Sequence, residues 1–290
     1  STCSSRSSNT NNSCDESNED NSNSDCSNEE SETSSESDDN EEIICTINEF
    51  PCEIIALESC ENTLDSYIVE NKIKDSEWES IILQILFTLI TYQKVFEFTH
   101  NDLHTNNIVY VSTEKKYLYY RYDNKHYKVP TYGKIYKIID FGRAIYKFNN
   151  ILLCSDSYSS NGDAYTQYNC EPYFNENKSR LEPNFSFDLS RLGCSIFDYF
   201  IDDLDDITKL KSPIKKIIVS WVFDDKNRNI LYKNNGDERY PDFKLYKMIA
   251  RSVHNHIPSN VIKNELFNKY IIAKKKINNT SVIFNIDNLN

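Results

Sequence analysis

His100-Asn101-Asp102-Leu103-His104-Thr105-Asn106-Asn107, with Ile139-Asp140-Phe141-Gly142 further along, decides how this chain is read. Asp102 and Asn107 are close enough in sequence for one tight loop to turn both side chains into the same pocket. Asp140 arrives separately, at the end of the mostly apolar run Ile135 to Ile139, which has the composition of a strand. Two carboxylates and a carboxamide in this order suit phosphoryl transfer, which is mostly positioning and charge neutralisation. One carboxylate orients an acceptor hydroxyl, and hard oxygen ligands hold the magnesium that bridges the phosphates. The plainer reading of His100 to Asn107 is a polar turn behind a helix.

These segments resemble the protein-kinase superfamily, with its His-x-Asp-Leu-x-x-x-Asn catalytic loop and Asp-Phe-Gly metal loop. The resemblance implies an α+β, protein-kinase-like fold, mostly a helical C-lobe with little or no N-lobe in this chain, working with ATP and Mg. It makes Asp102 the catalytic base, brings His104 to the γ-phosphate, and makes Asn107 and Asp140 the metal ligands. Asp188-Leu189-Ser190-Arg191-Leu192-Gly193 is similar to the Asp-x-x-Ser-x-Gly start of the long buried C-lobe helix, with Arg191 in the serine's place. In the family that aspartate accepts hydrogen bonds from the catalytic-loop backbone, so His100, Gly142 and Asp188 are expected to support the site. Read without the family, Asp188 is a helix N-cap before an apolar run. Pro51 to Cys60 (PCEIIALESC) resembles the last N-lobe strand entering the hinge. Leu57 would be the gatekeeper, Glu58 to Cys60 would offer backbone groups to adenine, and Val109 and Ile139 would complete the nucleotide pocket.

The departures from the family narrow the expectation. Asn101 stands where many kinases have the arginine that pairs with a phosphorylated activation loop, so phosphorylation between Arg143 and Ser186 is not expected to be the main on-switch. His104 replaces the lysine usual in serine/threonine kinases. It is shared with haspin-like and giant-virus (mimivirus-type) kinases, and with aminoglycoside and choline kinases. The Asn107–Asp140 interval is longer than in most of the family, and Cys170-Glu171-Pro172 is a loose substitute for Ala-Pro-Glu. No glycine precedes Gly133, no lysine precedes Lys72, and Arg6 is the only basic residue before the hinge. The phosphate loop and strand lysine therefore have no candidate. Either an N-lobe lies upstream of Ser1, the favoured expectation, or the domain is unconventional. A protein serine/threonine kinase is the leading expectation. A small-molecule kinase and a pseudokinase acting as an interaction module stay open beside it.

Charge divides the chain. Residues 1–42 hold 13 acidic residues against one basic residue, and the whole chain has a formal net charge of −13, so the remainder is close to neutral. A Ser/Asn-rich acidic segment of this kind cannot bury enough apolar surface to offset its ordering entropy, and 1–42 is expected to be disordered ahead of a kinase-like domain over 43–290. The nine cysteines form no Cys-x-x-Cys pair and no zinc spacing. Reduced thiols and an intracellular location, cytoplasmic in a host cell or in a virion, are expected, without secretion or a membrane span. Heavy use of Asn, Ile, Lys and Tyr suggests an AT-rich coding source, in keeping with a large DNA virus, although some protists share this bias. Oligomeric state is open, and a protein substrate is the expected partner.

Between the two loops, Tyr110 to Lys137 is rich in Tyr and Lys. Alternation around Asp123-Asn124 predicts a β-hairpin extending the strand pair between the catalytic and metal loops. Interleaved basic and aromatic residues also suit a nucleic-acid surface, although tyrosines stabilise two-stranded ribbons for structural reasons, and no specific nucleic-acid partner is expected. Apolar periodicity predicts helices over Ser76 to Phe98, Ile214 to Val222 and Asp242 to His256. In the last, Phe243, Leu245, Met248, Ile249 and Val253 are core candidates. Ser155 to Asn169 is polar and fits a mobile activation-type loop.

Overall fold

The computed structural model describes residues 46–51 and 54–289. The segment 1–42 lies outside the described residues. The chain divides into two compact units. In the smaller one, the described residues 46–51 and 54–59 contain a turn at Asn48 and Glu49 and no strand. The strand expected over Pro51 to Cys60 is thus absent from its described residues. Leu57 is 74% exposed, like the nearby Ile54 and Ile55, and such a stretch has no apolar face buried to hold it extended in a sheet.

The larger unit begins at Cys60. Its elements are β1 (Asn62–Thr63), α1 (Leu64–Glu70), α2 (Asp75–Phe96), β2 (Ile108–Ser112), β3 (Tyr117–Tyr122), β4 (Lys125–Pro130), β5 (Lys134–Ile138), β6 (Ile145–Phe148) and β7 (Ile151–Cys154). There follow α3 (Phe187–Ile196), α4 (Asp206–Lys209), α5 (Pro213–Ser220), α6 (Lys244–Ser252), α7 (Pro258–Val261), β8 (Ile271–Ile272) and β9 (Ile283–Asn285). Local chemistry sets several helix starts. The Thr63 hydroxyl accepts from Ser66 N–H at the head of α1, and Ser212 does the same for Lys215 at the head of α5, with Pro213 behind it.

The long helix α2 is buried on most of its surface, from Trp78 to Ile90. Gln84, a polar break in an otherwise apolar run, has a definite task. Its carboxamide oxygen accepts from Tyr136 N–H at 3.1 Å and its nitrogen reaches the Lys134 carbonyl at 3.4 Å. Both partners are on β5, the outer strand of the sheet ordered β1-β2-β5, so the side chain pairs backbone groups that no further strand reaches.

The β3–β4 hairpin turns at Asp123 and Asn124, both at positive φ (52° and 57°), the type I′ geometry that matches strand twist. It does not extend the β2–β5 pair as expected from the sequence. It forms its own four-stranded sheet, β8-β4-β3-β9, with two short strands near the C-terminus. Phe87 of α2 stacks on Tyr120 at 4.2 Å between ring centroids, which fastens this sheet to the helical core.

Two apolar clusters fill the interior, and α3 and α5 contribute to both. Leu189, Leu192, Ile214, Ile218 and Trp221 pack with α2, while Phe187, Cys194, Val219 and Val222 pack with α6. Residues 155–169, expected to be mobile, are tethered into the second cluster: Tyr158, Ala164, Gln167 and Tyr168 are all buried. Among the described residues no helix is long and apolar enough to cross a membrane.

Candidate active site

Residues 100–107, expected to form a catalytic loop, follow α2, which ends at Glu97 in a left-handed conformation (φ 47°) that turns the chain sharply toward the core. Thr99 then pairs with Ile145 through two backbone hydrogen bonds of 2.9 Å, setting the loop beside the segment after the metal loop. Asp188, in the first turn of α3 and fully buried, accepts the backbone N–H of both His100 and Asn101 at 2.9 Å. Burial pushes the Asp188 carboxyl above its ordinary range, against the opposing pull of those two amides. Thr105 fixes the far end of the loop. Its hydroxyl donates to Asp65 of α1 at 2.5 Å, and its N–H donates to the Ser195 hydroxyl of α3 at 3.2 Å.

His100 joins the two loops. Its Nδ1 accepts from Asp102 N–H at 3.3 Å, so Nε2 carries the proton and donates to the Ile139 carbonyl at 2.9 Å. The β2–β5 register aligns Ile108 with Ile138, and Ile139 N–H donates to the Asn107 carbonyl at 3.0 Å. Asn107 and Asp140 therefore leave adjacent strand ends. The Asn107 carboxamide nitrogen donates to the Asp102 carbonyl at 3.0 Å, which directs its oxygen the other way. Asp140 is exposed at φ 63° and accepts from Gly142 N–H at 3.3 Å.

His104 faces both carboxylates. Its Nε2 is 3.9 Å from Asp102 Oδ1, and the charges of Asp102 and Asp140 both favour the imidazolium. Burial, aided by the Arg191 charge, nevertheless holds its pKa down to about 4, so the imidazole is neutral near pH 7.

Asn107 and Asp140 offer oxygens, the hard donors magnesium takes. Among the described residues no group of three His, Cys, Asp or Glu could hold a metal on its own. The set fits a magnesium that completes its shell with water and phosphate oxygens. Such an ion, when bound, neutralises phosphate charge. It does not fit a closed structural site.

Of the other expected residues, Val109 is buried and Ile139 half-buried at the β2 and β5 ends, and Cys60 precedes β1. Leu57 and Glu58 are exposed in the smaller unit.

Several site residues escaped the sequence reading. Tyr246 of α6 donates its hydroxyl to Asp102 Oδ1 at 2.6 Å. Arg143 Nη1 lies 4.0 Å from Asp102 Oδ2, and the same guanidinium is hydrogen-bonded to Asp163. Asn101, buried at φ 64°, donates to Thr99 and Arg143 carbonyls and accepts from the Tyr168 hydroxyl at 2.7 Å. A neutral residue at position 101 thus ties the segment 155–169 to the loop. The available signal was Arg191: an arginine within a buried helix must have partners, and its guanidinium lies over the Tyr246 ring.

No family model matches the chain. A stretch of 88 residues is 38% identical to a Dictyostelium discoideum protein named "Probable serine/threonine-protein kinase", covering 28% of this chain. The matched part is 7% of that protein, so the chain spans a small fraction of this relative's length. The similarity supports a protein-kinase-like relationship over the matched stretch.

Proposed function

We propose that this site transfers the γ-phosphoryl group of ATP, with magnesium, to a hydroxyl carried by a protein serine or threonine. The observation that carries the reading is the meeting of two loops. Asp102, Asn107 and Asp140 stand around a neutral His104, on a backbone anchored by Asp188. Asp102 would orient the acceptor hydroxyl through Oδ2, since Oδ1 is taken by Tyr246. Asn107 and Asp140 would hold the cation. A neutral His104 donates a hydrogen bond to a phosphate oxygen without adding charge.

Two variants test this. Asp102→Asn is expected to bind MgATP as the wild type does and to lose turnover by roughly a hundredfold or more. Asp140→Ala is expected to lose magnesium-dependent nucleotide binding. Turnover by Asp102→Asn equal to wild type refutes the assignment of the base. Offering protein substrates beside amino-alcohols, with ATP consumption as the readout, separates the protein-kinase reading from the small-molecule one. The Asp188 to Gly193 segment favours the former, and His104 is common to both.

A second reading is an interaction module that keeps the fold without the transfer. MgATP binding by the wild type, with no phosphorylated product from any acceptor, would support it.

A further inference from the structure

Asp102 is approached from beneath by a residue far away in sequence. Tyr246, on α6, is 7% exposed and gives its hydroxyl hydrogen to Asp102 Oδ1 at 2.6 Å. Phe243 stacks on its ring at 5.2 Å and 18°, and Phe187 of α3 packs at 6.2 Å, so the phenol has no room to swing away. Arg191, 5% exposed on α3, holds its guanidinium carbon over the same ring, 5.0 Å from its centre. Its Nε has no hydrogen-bond partner.

A buried guanidinium is costly unless a negative charge answers it. Asp102 is the carboxylate whose charge favours that of Arg191, while the neutral Tyr246 turns its ring toward the guanidinium. Arg143 Nη1 stays 4.0 Å from the other Asp102 oxygen, Oδ2, beyond hydrogen-bond distance. His104 is neutral, and Asp140 lies beyond it. A phenol can offer its ring to a guanidinium while its hydroxyl donates to a carboxylate. Its polarisation by the cation strengthens its bond to the anion.

We infer that Arg191 and Tyr246 form a relay, Arg191 to Tyr246 to Asp102 Oδ1, that fixes the Asp102 carboxylate and leaves Oδ2 to the acceptor hydroxyl. Both are positioning residues, since neither touches the reacting atoms. The catalytic part of this inference rests on the phosphoryl-transfer reading; the relay itself does not. It also explains why Arg191 stands where the kinase pattern has serine: a serine hydroxyl at that point cannot supply the charge that polarises Tyr246.

Two readouts keep the relay and the kinase reading apart. The first is thermal and urea unfolding of Tyr246→Phe, Asp102→Asn and the double variant. Because the two side chains share one bond, their effects are expected to be non-additive, the double variant being no less stable than the weaker single one. Additive effects overturn the relay, whatever the enzyme does. The second is ATP turnover. Tyr246→Phe is expected to lower kcat on the order of tenfold to a hundredfold with the KM for ATP unchanged. Arg191→Met should give a similar loss, and Arg191→Lys should recover part of it. Combining Tyr246→Phe with Arg191→Met should add little, as for groups acting as a unit. Unchanged kcat in Tyr246→Phe overturns the positioning role. Raised kcat overturns it too, and makes Tyr246 an inhibitory cap on the base. No turnover by the wild type refutes the kinase reading and the catalytic role with it, while the unfolding cycle still decides the relay.

Discussion

His104 lies among two carboxylates, yet burial and the Arg191 charge hold its pKa down to about 4. In the unfolded chain the same imidazole takes up its proton near the ordinary value of 6.5. Between those two pH values the unfolded state binds more protons, so acidification destabilises the fold, and the loss is complete only below pH 4. The penalty is at most about 3 kcal/mol for a shift of this size. His104→Gln is therefore expected to lose less stability than wild type when urea unfolding is compared at pH 7 and pH 4. Parallel pH profiles for the two proteins would show that His104 is not the titrating group. At this scale the loop residues Asp102, Asn107, Asp140 and Asp188 were legible because side-chain chemistry at fixed spacing is a sequence signal. Tyr246 was not, because a tyrosine on the buried face of an amphipathic helix looks like any other core aromatic until the fold brings Asp102 under its hydroxyl.

Among elements, the β3–β4 hairpin has the clearest sequence origin. Asp123 and Asn124 take positive φ where short polar side chains tolerate it, and the Asp287 carboxylate accepts both of their N–H groups, at 2.8 and 3.1 Å. Asn124→Val puts a β-branched side chain at φ 57° and is expected to cost about 1–3 kcal/mol. Asn124→Gly should be neutral or slightly stabilising. Chemical unfolding of the two variants checks the pair; equal stability would show that the turn is not held in this geometry. The helices α2, α5 and α6 were legible from apolar periodicity, within a few residues at their ends. The sheet partners β8 and β9 were not. Two- and three-residue strands carry no alternation of their own, and only the hairpin's free edges select them. The strand expected at Pro51 to Cys60 was read from its resemblance to an N-lobe strand, and the exposure of Ile54, Ile55 and Leu57 shows that such a stretch without a covering layer does not make a sheet.

Across the whole of the larger unit, α3 is the member on which both cores and the catalytic loop depend. It crosses α5 closely at Gly193, where an added Cβ would come within 2.8 Å of Trp221 Cβ and 3.2 Å of the Ile218 carbonyl. Trp221 is 1% exposed and cannot yield without opening the first apolar cluster. Gly193→Ala is expected to force α3 and α5 apart at a cost of about 1–3 kcal/mol, and to displace Asp188 from the His100 and Asn101 amides. A lower Tm together with reduced turnover is the anticipated result; full activity at unchanged Tm would show that the helices have slack there.

The four-stranded sheet has a temporal consequence. β3 pairs in parallel with β9 and β4 antiparallel with β8, so the hairpin's two outer edges are matched only by residues some 140 to 160 positions later. Lys94, at the end of α2, likewise donates to the Ile286 and Asp287 carbonyls at 2.8 Å. A ribosome has to pass residue 285 before both edges can close. Until then a tyrosine-rich ribbon stands with open backbone donors and acceptors, the kind of surface on which neighbouring nascent chains aggregate, and the lysines interspersed along it, Lys115, Lys116, Lys125 and Lys128, supply the charge that keeps such ribbons apart.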